Sequence, residues 1–308
     1  MYDLIIIGGG PAGITAGIYA ARQKLNTLLI TKNFGGQIAR KVIGIENYPG
    51  FEQISGFDLI GKLEKHLRKQ DIDIKMNEVT KVERKENSFL VWINDNKEKI
   101  ESRTVIVATG ADPRPLKVPG EKEFIGKGVS YCAVCDGPVF ADKKVAIIGG
   151  GNSGFESALF LIDWVKKIYI LEFNPELKAD KENQDLVKEN KKVEIITNAA
   201  LKEIKGDKFV QSITYEDRTT KKEKTLAVDG VFVETGSQPA TSFINNLVDF
   251  NKRGEIKVAF ETYQTKTPGL FAAGDVNTGR FKQIVISCGE GAKTALAAFD
   301  YLRKQVKT

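Results

Sequence analysis

The hydrophobic positions near the start of the chain form one short run, and a glycine-rich segment follows it directly. Residues 2–7 are almost all apolar, as expected for a buried strand, and residues 8–13 are mostly glycine. A helical pattern at 14–23 and a second apolar run at 27–31 follow. Strand, glycine turn, helix and strand in this order predict the first βαβ unit of a dinucleotide-binding domain.

The same pattern recurs in the middle of the chain. An apolar run at 144–148 leads into the glycine-rich segment 149–154, a helical pattern at 155–165 and another apolar run at 168–173. The repeat predicts an α/β protein with two Rossmann-like dinucleotide-binding domains, each built in three layers.

The glycines of both turns have the spacing G-x-G-x-x-G. The first allows a tight turn, the second lets the backbone approach a pyrophosphate, and the third lets the helix pack on the strand. A helix N-terminus then offers N–H groups to the phosphates. One such motif is weak evidence, but two in the same strand-to-helix context are strong evidence for nucleotide binding. The six positions are Gly8, Gly10, Gly13, Gly149, Gly151 and Gly154.

Proline-rich segments predict where the chain passes between the two domains. Three prolines at 113–119 follow an apolar strand that ends in glycine, and segment 237–240 follows another such strand. We therefore expect a discontinuous first domain of residues 1–113 and 247–308, with residues 114–246 inserted as the second domain. The last segment ends in a predicted helix at about 289–303.

The residue that ends the second strand of each copy predicts which nucleotide binds there. Glu172 has this position in the second copy, where a carboxylate can accept hydrogen bonds from an adenosine ribose. At ~4 Å and an effective dielectric of about 20, each pair of like charges costs about 4 kcal/mol, so the 2′-phosphate of NADPH is disfavoured. Lys178 can relieve part of this cost. In the first copy Thr31 is the corresponding residue, so a ribose there must bind to Thr31 or to the backbone. The alternative is that Glu172 is a surface residue at a strand end.

The cysteines predict redox chemistry. Cys132 and Cys135 form a C-x-x-C pair that can close a reversible disulfide. Asp136 follows directly; it is either a proton donor and acceptor for the thiols or a residue that the turn requires. Zinc is the alternative, but it needs further ligands and the chain has no second such pair and only one histidine, His66. We expect no metal site, and we expect Cys288 to be a small buried residue.

Composition and charge narrow the class of protein. With 308 residues, 42% hydrophobic and 28% charged, the chain suits two soluble globular domains. Its net charge is +6, but basic and acidic residues are mixed along the chain and no basic cluster stands out, so we expect no nucleic-acid partner. An acidic protein partner is the remaining alternative. The apolar runs are too short to span a membrane, and residue 1 leads directly into the first strand. We therefore expect a cytoplasmic protein.

These elements in this order resemble the low-molecular-weight thioredoxin reductases over essentially the whole chain, with the Cys-Ala-x-Cys-Asp-Gly segment as the most specific part. The second half is also similar to the flavoprotein subunit of alkyl hydroperoxide reductase. The motifs that carry the resemblance are 8–13, 35–37, 46–50, 108–111, 132–137, 149–154, 171–180, 272–275, Gln283 and 289–293.

The resemblance implies roles for individual residues. Cys135 faces the flavin, Cys132 attacks the partner's disulfide, Asp136 supplies the proton, and the protein is a homodimer. FAD is expected on Gly8, Gly10, Pro11, Ala12, Gly13, Thr31, Gly36, Gln37, Asn47, Ala108, Gly110, Gly274, Asp275, Lys282, Gln283 and Ile284. NAD is expected on Gly149, Gly151, Asn152, Ser153, Gly154 and Glu172.

The expected function is electron transfer from NADH, less favourably NADPH, through FAD and the Cys132–Cys135 pair to a thioredoxin-like protein. NADPH-dependent members carry a His-Arg-Arg run and a further Arg, where this chain has Glu172, Phe173, Asn174 and Lys178. The alternatives are a ferredoxin-type donor, an acceptor of the glutaredoxin or peroxiredoxin type, and a redox sensor without turnover.

Overall fold

The computed structural model describes residues 1–38, 45–244 and 246–305. The α-helices in this part of the chain are α1 (Pro11–Arg22), α2 (Gly56–Leu67), α3 (Ala133–Asp136), α4 (Asn152–Leu161), α5 (Lys181–Lys188) and α6 (Ile284–Gln305). The strands are β1 (Tyr2–Gly9), β2 (Thr27–Phe34), β3 (Asp73–Met76), β4 (Val79–Arg84), β5 (Phe89–Ile93), β6 (Glu98–Val107), β7 (Ala111–Pro113), β8 (Val129–Ser130), β9 (Lys144–Ile148), β10 (Lys167–Leu171), β11 (Val193–Ile196), β12 (Ala199–Gly206), β13 (Val210–Asp217), β14 (Lys222–Ala227), β15 (Gly230–Val233), β16 (Ser237–Pro239) and β17 (Leu270–Ala272).

The chain divides into two compact units. Unit 1 comprises residues 1–112 and 237–308, and unit 2 comprises residues 113–236. The first boundary lies one residue before the predicted crossing, and the second, at 236/237, lies ten residues before the predicted return at 247. The reason is hydrogen bonding: β16 pairs with β7, and Thr109 Oγ1 donates to the Ala240 carbonyl at 2.9 Å, so the chain already belongs to unit 1 at Ser237.

Unit 1 is built on a seven-stranded sheet in the order β3-β2-β1-β6-β5-β4, with β17 also paired to β6. Strands β1, β2, β3, β6 and β17 are parallel, so their carboxyl ends share one edge. Successive side chains of β1 enter opposite cores: Leu4 and Ile6 pack with α1 and α6, and Ile5 and Ile7 pack with β5 and the 244–276 segment. Burial on both faces explains why the run is apolar without alternation.

Unit 2 is built on a five-stranded parallel sheet in the order β11-β10-β9-β15-β8. Val145 and Ile147 of β9 pack against α4, whereas Ala146 and Ile148 pack against the antiparallel sheet β12-β13-β14. That antiparallel sheet was not predicted from the sequence; it provides the third layer on the face opposite the helices.

The repeated βαβ pattern is confirmed, with shifted ends. Both helices after the glycine turns begin three residues earlier than predicted, α1 at Pro11 and α4 at Asn152, and the terminal helix α6 begins at Ile284 rather than near 289. Glycine and proline are compatible with a first helical turn, although they interrupt an apolar pattern. Among the described residues no helix is long and apolar enough to cross a membrane.

Candidate active site

The first glycine turn lies at the carboxyl edge of the unit 1 sheet and is closely packed on one side only. A Cβ at Gly8 would lie 2.3 Å from the Ala108 carbonyl oxygen, and one at Gly13 would lie 1.9 Å from the Gly8 oxygen. A Cβ at Gly10 would meet nothing within 4 Å. Gly10 is also the N-cap of α1 and offers no side chain to the first-turn N–H groups. The turn therefore leaves open space beside N–H donors, which fits a pyrophosphate.

The second turn in unit 2 repeats this geometry. A Cβ at Gly149 would lie 2.4 Å from the Glu234 oxygen and one at Gly154 would lie 2.0 Å from the Gly149 oxygen, while Gly151 has open space around it and caps α4. The side chain of Asn152 is already used, because its Nδ2 donates to Asp180 at 2.9 Å. A ligand can therefore reach the backbone of this turn, whereas the Asn152 side-chain amide already has a partner.

Glu172 is buried against the second turn. Its Oε2 accepts a hydrogen bond from Gly150 N at 2.7 Å, and its Oε1 accepts from Asn174 N at 2.9 Å and Asn174 Nδ2 at 2.7 Å. The side chain is only 7% exposed, so the alternative of a solvated surface glutamate is wrong. A carboxylate offers about four acceptor positions, so these three hydrogen bonds leave about one for a ribose hydroxyl.

Thr31 has the equivalent position in unit 1. A Cβ at Gly9 would lie 2.7 Å from Thr31 Oγ1, as a Cβ at Gly150 would lie against Glu172. The Thr31 hydroxyl donates to the Asn33 carbonyl at 2.6 Å. The two copies therefore differ in charge at matched places, neutral in unit 1 and anionic in unit 2.

Several predicted FAD residues from distant parts of the sequence meet in unit 1. Asn47 Nδ2 donates to Gln283 Oε1 at 3.2 Å, Gln37 Nε2 donates to the Ala111 carbonyl, and a Cβ at Gly274 would lie 3.1 Å from Ala12 Cβ. Ile284 opens α6 directly after Gln283. These contacts bring predicted FAD-binding residues together, although nothing in the sequence signals that the segments are close in space.

Glu290 was not predicted, although it holds part of this set in place. Its Oε2 accepts from Gly274 N and from Asn277 Nδ2, both at 2.7 Å. Burial raises the pKa of Glu290, while these two hydrogen bonds oppose the shift. The carboxyl group therefore ties the segment beside Asp275 to α6.

Two residues of unit 1 have contacts that were not predicted from the sequence. The Lys282 ammonium is used within the protein, since it donates to the Asp275 carbonyl at 3.2 Å and pairs with Glu255 at 3.2 Å. Cys288 is only partly buried, and its Sγ lies 3.7 Å from Tyr48 Oη. Burial, together with the thiol, raises the pKa of Tyr48 to about 12. Cys288 is thus a polar contact near Asn47 rather than a small core residue.

The cysteine pair lies in unit 2 at the start of α3. Cys132 and Cys135 form a disulfide, and Cys135 N donates to Cys132 Sγ at 3.2 Å. Asp136 is buried, and its Oδ2 accepts from Ser130 Oγ at 2.5 Å. Ser130 was not predicted from the sequence either; its position two residues before the pair is its only signal there.

A second buried carboxyl group lies near the pair. Glu121 accepts from Leu116 N at 2.7 Å, Lys117 N at 2.8 Å and Tyr131 Oη at 2.8 Å. Burial and this hydrogen bond raise the pKa of Tyr131. The crossing segment after Pro113 is therefore connected to the residue that precedes Cys132.

Comparison with known proteins decides the class. The family model described as pyridine nucleotide-disulphide oxidoreductase matches residues 2–291. The chain belongs to this family. Membership confirms the expected disulfide reductase class, with FAD and a nicotinamide nucleotide as cofactors, and agrees with the two open glycine turns and the disulfide.

Individual relatives support the same class. Over 302 residues the chain is 44% identical to the F subunit of alkyl hydroperoxide reductase of Staphylococcus aureus, covering 98% of this chain and 59% of the relative. It is 44% identical over 301 residues to an NADH dehydrogenase of Bacillus subtilis, covering 98% and 58%. The chain thus spans less than two thirds of the length of these relatives. The crystal structure of a thioredoxin reductase from Streptococcus pyogenes superposes with a TM-score of 0.93 at 37% identity, covering 99% of both chains, which confirms the fold.

Proposed function

We propose that this family member transfers electrons from NADH through FAD to the Cys132–Cys135 disulfide, and from there to a thioredoxin-like protein. The observation that carries the donor assignment is the Glu172 carboxylate, which three N–H donors fix beside the second glycine turn. A fixed anion at this position accepts a hydrogen bond from the ribose and repels a 2′-phosphate. The name NADH dehydrogenase, given to the Bacillus subtilis relative, supports the same donor.

Unit 1 is the proposed FAD domain and unit 2 the proposed NADH domain. In unit 1 the backbone of Gly8–Gly13 would hold the FAD pyrophosphate, and Asn47 and Gln283 would bind the flavin end. FAD held there would accept a hydride from the nicotinamide and would supply two electrons to the disulfide. The residues of this chain then do the thiol chemistry, and we expect the protein to work as a homodimer.

The thiol steps balance as an exchange of one disulfide for another. Reduction breaks the Cys132–Cys135 bond and adds two electrons and two protons. The Cys132 thiolate attacks the partner's disulfide to form a mixed disulfide, and Cys135 then attacks Cys132 and re-forms the original bond. Asp136 takes a proton from a cysteine thiol and passes it to the departing partner sulfur. The partner leaves with two electrons and two protons.

Anaerobic titration of the flavoprotein with NADH, and separately NADPH, tests the donor. We expect NADH to bleach the flavin rapidly and to deliver two electron pairs per subunit, whereas Cys135→Ser should accept only one. Bleaching by neither nucleotide, while dithionite still reduces both centres, overturns the nicotinamide donor in favour of a ferredoxin-type donor.

The acceptor is tested by adding an oxidised bacterial thioredoxin to the NADH-reduced protein. Rapid reoxidation, lost in Cys132→Ser, supports a thioredoxin-like acceptor. The similarity to a component of alkyl hydroperoxide reductase favours a second candidate, a small redox protein that serves a peroxiredoxin. Reoxidation by a glutaredoxin but not by the thioredoxin supports that candidate instead.

A further inference from the structure

Ser130 is a buried serine two residues before the cysteine pair. It ends β8, where it pairs with Phe232 of β15, and its exposed fraction is 3%. β8 is a two-residue strand at the edge of the parallel sheet, and its pairing with β15 together with the burial of Ser130 limits the positions that the hydroxyl can take. The serine is therefore suited to position a neighbouring group.

The hydroxyl joins two elements of the redox site. Ser130 Oγ lies 2.5 Å from Asp136 Oδ2 and 3.1 Å from Cys132 N. A hydroxyl has one hydrogen and two acceptor lone pairs, and an ionised carboxylate can only accept. Ser130 therefore donates to Asp136 and accepts from the Cys132 amide. This connects the carboxylate to the backbone of the cysteine that attacks the partner.

We propose that Ser130 is a positioning residue for thiol–disulfide exchange, which holds the Asp136 carboxyl group in a fixed relation to Cys132 while the proton moves. The proposal rests on the proposed role of Asp136 as proton donor and acceptor. Ser130 itself exchanges no electrons and keeps its own proton through the cycle.

The geometry also accommodates both protonation states of Asp136. When the carboxyl group holds a proton, it can donate to Ser130 Oγ, and the serine hydrogen can turn to the Cys132 carbonyl oxygen at 3.4 Å. When the proton leaves, the serine hydrogen returns to Asp136. Each buried polar atom keeps a partner in both states, so proton transfer leaves no buried group unsatisfied.

The test measures oxidation of the cysteine pair directly, without NADH or a protein partner. The purified flavoprotein carries Cys288→Ala, is reduced with dithiothreitol, is separated from the excess dithiothreitol by anaerobic gel filtration, and is mixed with 5,5′-dithiobis(2-nitrobenzoate) in a stopped-flow instrument. The reagent takes two electrons from the pair and releases two thionitrobenzoate ions and two protons. We expect Asp136→Asn to slow this reaction about 100-fold, the lower end for general acid–base catalysis. We expect Ser130→Ala to slow it about 10-fold.

Coupling between the two residues separates positioning from general damage. The double variant S130A/D136N should be no slower than D136N alone within about 2-fold, because Ser130 acts through Asp136. Ser130→Thr should restore the rate to within about 3-fold, since it keeps the hydroxyl. Ser157→Ala is the matched control: Ser157 Oγ donates to the Glu234 carboxyl group at 2.6 Å in the same unit, and its loss should leave the rate unchanged.

A wild-type rate in S130A, or a double variant slowed by the product of the two single effects, overturns the proposal. An equal loss in S157A does so too, because it shows an effect of general destabilisation. Failure of the proposed function gives a different result. In that case the wild-type protein does not pass electrons from NADH to thioredoxin, while the coupling seen with the disulfide reagent persists.

Discussion

The side-chain amide of Asn47 donates a hydrogen bond to Gln283 Oε1 at 3.2 Å, although 236 positions separate the two residues. Gln283 directly precedes α6, and Asn47 lies in the loop before α2. The resemblance assigns both residues to FAD, and the bond brings the two assigned segments to one place in unit 1. It also leaves the Asn47 carbonyl oxygen and the Gln283 amide group for a ligand.

We predict that Gln283→Ala weakens FAD binding about 5-fold, because a net hydrogen bond contributes about 1 kcal/mol. Fluorescence titration of the apoprotein with FAD measures the change. Gln53→Ala is the matched control, since Gln53 Nε2 donates to Glu46 Oε1 at 3.0 Å in an exposed pair of the same loop. Equal losses in the two variants would exclude a specific role for Gln283.

Two glycines of the second turn allow nucleotide binding and folding stability to be tested separately. A Cβ at Gly151 enters open space, whereas a Cβ at Gly154 would lie 2.0 Å from the Gly149 oxygen. We predict that Gly151→Ala weakens NADH binding at least 10-fold while the melting temperature stays within about 2 °C, because the methyl group takes the place of a phosphate oxygen. Gly154→Ala should lower the melting temperature by several degrees. The prediction fails if G151A binds NADH with wild-type affinity in a calorimetric titration.

Glu172 is predicted to determine nucleotide selectivity. Glu172→Gln keeps an oxygen for Gly150 N but removes the charge, so we expect the ratio of kcat/KM for NADH over NADPH to fall at least 10-fold. Flavin reduction by each nucleotide in rapid mixing gives the ratio. Glu176→Gln, four residues later and exposed, should leave it unchanged. An unaltered ratio in E172Q would move selectivity to another residue.

Local patterns in the sequence predicted the parts of the fold that depend on local constraints. Gly8, Gly13, Gly149 and Gly154 are glycines because carbonyl oxygens lie where a Cβ would be, and such constraints act within one βαβ unit or its neighbouring strand. The same reasoning located Thr31 and Glu172 at matched places beside the two glycine turns, because spacing along a strand–turn–helix unit is fixed, although β2 continues past Thr31 to Phe34 and β10 ends at Leu171.

The parts that the sequence did not reveal depend on contacts between distant segments. Ser130 and Glu290 act by hydrogen bonds to Asp136 and Gly274, and neither serine nor glutamate carries a spacing signal that shows this use. Strands β12 and β14 of the antiparallel sheet carry many charged or exposed residues, so they resemble surface segments in a single sequence. The roles of Ser130 and Glu290 and the formation of this sheet depend on tertiary contacts that local sequence patterns do not encode.

Glu234 gives the last prediction, which concerns pH. It follows β15 beside the second glycine turn, and burial raises its pKa from 4.5 to about 7; the Glu156 charge adds to the shift and the hydrogen bond from Ser157 opposes it. The folded state therefore holds this proton more tightly than the unfolded chain. Its contribution to stability is fully present below about pH 4.5 and is lost as the pH rises to about 7.

We expect Glu234→Gln to remove this loss, since glutamine still accepts from Ser157 but does not ionise. At pH 8 the variant should be more stable than wild type by about 1–3 kcal/mol, and at pH 4 the two should be alike. Urea unfolding at both pH values, followed by circular dichroism, measures the difference. Glu156→Gln is the control, because Glu156 is exposed and its charge contributes least to the shift. A constant difference between E234Q and wild type at pH 4 and pH 8 would show that Glu234 does not titrate in this range.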